Sequence, residues 1–304
     1  MNEKELKENI NKIKDLLQSN NYESGFELLK TLNEPKLNEN LADLILSKVE
    51  NEYLPSFGKS SNAEEGFNIL YLLIPDVVKL EVKSCALQNI DFISKLTGLT
   101  NLNISSCKAL QNVDGLTNLT NLTSLDLSYC DSLQNVDGIA NLTNLNSLHL
   151  DIRSNQNCLE NLNFISKLTN LTSLDLYYCD SLKNVDIISK LTGLTSLDLS
   201  VCNSLQDIGG LVNLPNLTKL NLSNCKSLEN IYVIAKLSNL SDLNLAYNEN
   251  VEIKPSEGYM TNRNEVAKYQ EKISILKAIK DDDINLLSNY NDIINKIFYL
   301  EDNY

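Results

Sequence analysis

The chain has 304 residues, 42% of them hydrophobic and 22% charged, which is enough apolar material for a sizeable core and excludes disorder as the overall state. Ten glycines and five prolines exclude a collagen-like or linker-like polymer. The formal charge of −14 divides as −6 over residues 1–76, −5 over 77–254 and −3 over 255–304, so no segment carries the Lys/Arg cluster that a grip on nucleic acid or an anionic membrane surface requires.

In chain order, Leu6, Ile10, Ile13, Leu16 and Leu17 stand at helical spacing and predict a helix over 3–18. Its start, MNEKELKENI, mixes charges and amides where a secretory signal needs a basic end and an apolar stretch, and no apolar run approaches the roughly 18 residues of a membrane span. A cytoplasmic location is the expectation. Phe26, Leu29 and Leu32 continue the apolar spacing after Asn20 and Asn21 until Pro35; a third helix is expected over 38–53, with Leu41, Leu44, Ile45 and Val49 on one side. A loop over Pro55–Ser61 and a short helix over 64–73 complete a segment, 1–76, read as an N-terminal helical cap.

From residue 77 the chain repeats itself. Leu122, Leu125, Leu127 and Cys130 stand in the order L-x-x-L-x-L-x-x-C, followed by Leu133, Val136, Ile139 and Leu142 at every third position. Equivalent stretches open at Val77, Leu99, Leu145, Leu171, Leu194, Leu217 and Leu240, making eight repeats over 77–254 at spacings of 22, 23, 23, 26, 23, 23 and 23 residues. Alternation in L-x-L predicts a short strand, and the threefold spacing predicts a 3₁₀-like or extended return path. One turn of coil cannot bury its leucines alone, but stacked turns share an apolar interior.

These motifs resemble the leucine-rich repeat family, whose pattern L-x-x-L-x-L-x-x-[NC]-x-L is matched over roughly 77–250. Units of 22–23 residues are most similar to short-repeat classes such as bacterial internalins and phosphatase-regulatory repeats. The resemblance implies an α/β fold, a curved, right-handed parallel-strand solenoid with helical caps at both ends. It also implies a non-enzymatic role in binding other proteins through the concave sheet.

Cys85, Cys107, Cys130, Cys179, Cys202 and Cys225 all occupy one repeat position, and Asn248 takes it in the last unit. In the family this position is usually Asn, which ties loop carbonyls and amides inside the turn; a buried thiol can donate one weak hydrogen bond there while packing as a small apolar group. A line of thiols at strand spacing lacks the converging geometry of a zinc site, so no metal is expected, and intrachain disulfides are disfavoured by an odd count and a reducing compartment. Only Cys158 is expected to react readily with bulky thiol reagents. Repeat four departs from the pattern: Arg153 stands at the ladder position and the return path through Ser154 to Cys158 is three residues longer. The N-x-[ST] matches at Asn118, Asn121, Asn141, Asn170 and Asn216 follow from repetition of N-L-T-N-L and carry no expectation of glycosylation.

Pro255 marks the exit from the coil, and Asn262 and Glu265 have the spacing of a capping box ahead of Val266, Tyr269, Ile273 and Leu276, predicting a helix over 263–279. Asp281, Asp282 and Asp283 favour the start of a further helix through Ile284, Leu287, Ile293, Ile294 and Ile297, so that 255–304 reads as a C-terminal helical cap.

Residues alternating with the strand leucines face the concave side. The candidate partner-binding residues on repeats three to six are Asp126, Tyr129, His149, Asp151, Ile152, Asp175, Tyr177, Tyr178, Asp198 and Val201. Tyrosines among carboxylates fit a basic protein or peptide; the plainer reading is that S-L-D-L is repeat consensus and the acids are solvated strand residues. Two other roles stay open: a translocated bacterial effector engaging a host protein, and a scaffold assembling through its helical ends. With a single His, no phosphate loop, no nucleophile elbow and no Cys beyond the ladder, no catalytic residue and no cofactor are assigned.

Overall fold

The computed structural model describes residues 78–81, 87–151, 162–251, 253–255 and 258–281, together with Glu8, Lys12 and Asp15, which are helical and exposed. Ile152, Arg153, Cys85, Cys158, the repeat-four insertion and the remaining cap segments lie outside the described residues. The chain forms two compact units, Met1–Asn144 and Leu145–Tyr304, divided where the fourth repeat opens.

The first unit holds the parallel strands β1 (Lys79–Glu81), β2 (Asn101–Asn103) and β3 (Ser124–Asp126). Register stacks Leu80 on Leu102 and Leu102 on Leu125, so that one leucine per strand points inward and its two neighbours face out. The threefold apolar spacing folds as 3₁₀ turns at Asp91–Lys95, Asp114–Leu116 and Asp137–Ile139. A period of three residues per turn lets Leu110, Val113, Leu116 and Leu119 all reach the same interior, where each is fully buried.

The second unit continues the rule with β4 (Ser147–His149), β5 (Ser173–Asp175), β6 (Ser196–Asp198), β7 (Lys219–Asn221) and β8 (Asp242–Asn244), all parallel, and with 3₁₀ turns at Leu162–Lys167, Asp186–Ile188, Gly209–Asn213 and Tyr232–Lys236. Two more elements follow among the described residues. The two-residue strand β9 (Tyr259–Met260) pairs antiparallel with β8, and the helix α1 (Arg263–Lys280) follows, close to the predicted span. Its N-cap is formed: Glu265 N–H donates to Asn262 Oδ1 at 3.0 Å, and Glu265 Oε2 accepts from the N–H of Thr261, the residue before the cap, at 3.3 Å. Buried Gln270 binds α1 to the last 3₁₀ turn, its Nε2 donating to Ile234 O at 2.7 Å and Leu237 O at 2.8 Å.

Within each unit, polar side chains tie a repeat to the one before it. Thr123 and Thr195 Oγ1 donate to the Thr100 and Thr172 carbonyls at 3.0 and 2.9 Å, while Asn121 and Asn216 Nδ2 donate to Thr97 and Thr192 carbonyls at 2.9 Å. The amides of two N-x-[ST] matches are therefore engaged in stacking the coil.

Inside the turns, Cys130, Cys202 and Cys225 Sγ donate to Ile104, Leu176 and Leu199 carbonyls at 3.2, 3.4 and 3.1 Å. Asn248 does more from the same position: Nδ2 donates to Leu222 O at 2.8 Å and Leu245 O at 2.9 Å, and Oδ1 accepts from Cys225 N–H at 2.8 Å. Burial pushes the Cys225 thiol up to about 12, and pushes Cys202 higher still, aided by the neighbouring Cys179 and Cys225. One expectation fails. Cys130, Cys179, Cys202 and Cys225 are free thiols, but Cys107 is disulfide-bonded.

Candidate protein-binding surface

Strands β2 to β8 each end on an Asp, Asn or His that faces outward, and the Asp and Asn side chains among these turn back onto the chain. Asp126 Oδ1 accepts from Ser128 N–H at 2.9 Å, Asp175 Oδ1 from Tyr177 N–H at 2.9 Å, and Asp198 Oδ1 from Ser200 N–H at 2.8 Å. Asn103, Asn221 and Asn244 make the same contact to Ser105, Ser223 and Ala246 N–H at 2.9, 3.1 and 3.0 Å. These are Asx turns, which explains why only Asp and Asn recur at those six positions.

The second carboxylate oxygen of each acid is held as well. In the first unit Asn103 Nδ2 donates to Asp126 Oδ2 at 3.0 Å; in the second, Asn221 Nδ2 donates to Asp198 Oδ2 at 2.8 Å, and His149 Nδ1 lies 3.5 Å from Asp175 Oδ2. His149 Nε2 is also 3.2 Å from Ser147 Oγ. Within each unit the acids are thus hydrogen-bonded to neighbouring side chains and fixed in position before any partner arrives. Among the described residues, no group of His, Cys, Asp and Glu has the arrangement of a metal site.

The predicted site residues separate by unit. Asp126 and Tyr129 belong to the first, Tyr129 being exposed. In the second, register places His149 beside Asp175 and Asp175 beside Asp198 on one open strand face. Tyr177 and Tyr178 follow Asp175, half-buried, with ring centroids 5.9 Å apart and planes tilted by 55°. Asp151 does not join them. It is only 4% exposed and presents no open surface.

A further regularity is absent from the sequence pattern. Ser106, Tyr129, Tyr178, Val201, Asn224 and Tyr247, each one residue before a ladder position, have φ between 55° and 64°. The left-handed turn aims their N–H groups at the next repeat, as in Tyr178 N–H to Ser200 O at 2.9 Å and Val201 N–H to Ser223 O at 2.8 Å. Sequence reasoning over repeats three to six missed Tyr247, which is 84% exposed, although it precedes Asn248 as Tyr129 precedes Cys130. It also missed Tyr259 at the sheet edge, whose hydroxyl pKa is raised by the neighbouring Asp242 carboxylate.

Comparison with known proteins agrees with this architecture. The chain has 23% identity to internalin C2 from Listeria monocytogenes, with a TM-score of 0.50, covering 70% of this chain and 84% of that one. It has 20% identity to the leucine-rich repeat domain of the type III effector XopL, with a TM-score of 0.51, covering 81% and 90%. Both likenesses establish the fold: a leucine-rich repeat solenoid with a C-terminal helix. No curated protein sequence matches the chain. A family model described as a leucine-rich repeat region matches residues 78–268, and with the strand register, the 3₁₀ return paths and the inward Cys/Asn position it places this chain in the leucine-rich repeat family.

Proposed function

We infer that this chain recognises a basic protein or peptide through the outward face of its strands. Leucine-rich repeat regions are interaction modules. The observation that carries the basic character is the fixing of the carboxylates: Asp175 and Asp198 stand side by side in the second unit, Asp126 stands in the first, and each is locked by its own Asx turn. Charges that need no rearrangement lose little on binding and accelerate encounter with an opposite charge. The net charge of −14 points the same way and away from nucleic acid.

Ser147, His149 and Asp175 form a hydroxyl, imidazole and carboxylate chain, yet the His149 and Asp175 side chains are 41% and 31% exposed on an open strand face. Acyl transfer needs a water-excluding site with donors for the oxyanion, so we assign this chain to binding and not to catalysis.

The test uses a substitution that the fold already tolerates. Because Asn occupies the strand-end position in β2, β7 and β8 with the same turn, the triple variant Asp126→Asn, Asp175→Asn, Asp198→Asn removes three charges and keeps the Asx turns. Capture of a basic partner from lysate at about 50 mM salt is expected from wild type and reduced about tenfold for the variant. Equal capture by both proteins, with unchanged melting, would sink the reading.

A further inference from the structure

We propose that the strand face of the second unit reads a charge pair and not a run of cations: a basic side chain over β5 and β6, and a carboxylate about three residues away over β7 and β8. This rests on the protein-binding reading above. In register, the first outward position holds Ser173 and Ser196 on β5 and β6, then Lys219 and Asp242 on β7 and β8. The second holds Asp175 and Asp198, then Asn221 and Asn244. The face therefore changes chemistry between β6 and β7. Carboxylates beside small hydroxyls give way to an exposed lysine beside amides.

The fold makes no demand for a lysine there, since β4, β5 and β6 form with Ser in its place. The Lys219 ammonium has no hydrogen bond or ion pair among the described residues. The acids nearest to it in register are engaged elsewhere. Asp198 accepts from Ser200 N–H and Asn221 Nδ2, both at 2.8 Å, and Asp242 acts on the Tyr259 hydroxyl, whose pKa it raises. Asn244 adds a second donor. Asn221 gives its amide to Asp198, but the strand neighbour of Asn244 is Asn221 itself, whose Oδ1 accepts from Ser223 N–H at 3.1 Å. Asn244 Oδ1 takes the Ala246 N–H, and its Nδ2 makes no hydrogen bond among the described residues.

Lys219 and Asn244 stand diagonally across one strand step, a separation that a lysine stem bridges. An ammonium and an amide N–H on one open face are the complement of a carboxylate. Tyr259, paired with Asn244 in register and 48% exposed, gives that end an aromatic wall. At the other end, the turn N–H groups and the Asn221 amide that hold Asp175 and Asp198 are neutral, so both acids keep their charge. The centre of the β5–β6 acids lies two strand steps from the centre of the β7–β8 donors, about 9.6 Å at roughly 4.8 Å per step. A β-strand returns a side chain to one face every two residues, about 6.7 Å, which falls short. A polyproline II helix does so every three, about 9.3 Å, so the partner segment is of that form, with its opposite charges three residues apart.

The experiment measures, by anisotropy at about 50 mM salt, binding of two fluorescent peptides to the full chain. One repeats Arg-Pro-Pro-Glu-Pro-Pro, which carries the pair in both orders; the other has each Glu replaced by Arg. Lys219→Glu, with unchanged melting, is expected to weaken the Arg/Glu peptide about tenfold and to tighten the all-Arg peptide. Asn244→Asp keeps the Asx turn, as Asp175 and Asp198 do, and is expected to shift both affinities in the same directions. Lys183→Glu makes the same charge change at an exposed site on the return path and is expected to alter each affinity about twofold at most. Equal effects of Lys219→Glu and Lys183→Glu would overturn the charge pair; all-Arg binding that still falls in the Asp126, Asp175, Asp198 variant would leave the strand-face reading standing. A wild type that binds the all-Arg peptide and not the Arg/Glu peptide would overturn the pair too. Binding of neither peptide would also overturn it, and the lysate capture above then tests the strand-face reading on its own.

Discussion

Val201 and Asn224 occupy one repeat position with nearly the same backbone, φ of 62° and 55°, and very different suitability for it. A β-branched side chain clashes with its own carbonyl there, at about 1–2 kcal/mol, whereas Asn visits the region readily. Exchanging them makes an internally controlled pair: Val201→Asn is expected to raise stability by about 1 kcal/mol and Asn224→Val to lower it by about as much, read by urea denaturation. The inward ladder is legible in the sequence because Cys and Asn recur there at fixed spacing among leucines. The left-handed position beside it is illegible, because Ser106, Tyr129, Tyr178, Val201, Asn224 and Tyr247 share no chemistry and none is Gly. The strand-end acids are a third kind of case. Asp126, Asp175 and Asp198 are visible in sequence as charge, but their Asx turns, which make them half scaffold and half surface, require the backbone to be seen.

At the scale of elements, the 3₁₀ turns set the tolerances. A Cβ built on Gly138 would lie 2.1 Å from Val113 O, and one on Gly115 2.3 Å from Ile90 O, both backbone atoms of the preceding turn that cannot step aside. Gly193 would meet nothing closer than Leu171 O at 3.6 Å. Gly138→Ala is therefore expected to lower stability by about 2–3 kcal/mol and Gly193→Ala to change it little, both by thermal melting. Return paths follow from threefold spacing plus Asn or Asp at their entry: Asn135 Oδ1 accepts from Asp137 N–H at 2.8 Å and Asp207 Oδ1 from Gly209 N–H at 2.7 Å. Helix α1 is equally legible through its capping box. Strand β9 is not, since two residues are too few to show alternation and their pairing is made by β8.

For the molecule as a whole, the ladder sets an alkaline limit. Folding keeps the Cys225 thiol protonated up to about pH 12 and Cys202 beyond it, against an ordinary value of 9.0. A thiol whose pKa is raised by folding contributes fully below the unfolded value, and the contribution is lost as pH rises through about 9 toward 12. Each buried thiol then removes about 1.4 kcal/mol per pH unit. The melting temperature is expected to hold to about pH 8.5 and fall steeply by pH 11, and Cys225→Ala is expected to fall less steeply across that range.

The antiparallel strand at the end of the second unit has a consequence for colloidal behaviour. A stack of parallel repeats is, in principle, endless: a bare last strand offers N–H and C=O groups on which another copy could continue the coil, and head-to-tail addition of that kind grows into filaments without closing. Here β9 takes that edge with its direction reversed, Leu245 N–H donates to Gly258 O at 2.6 Å, and α1 follows at once. Gly258, at φ 73° with Ala246 Cα only 2.8 Å from where a Cβ would sit, is the residue that lets the chain fold back so closely. Gly258 thus lets the chain cover its own β8 edge, the place where a bare strand would invite the addition of another copy.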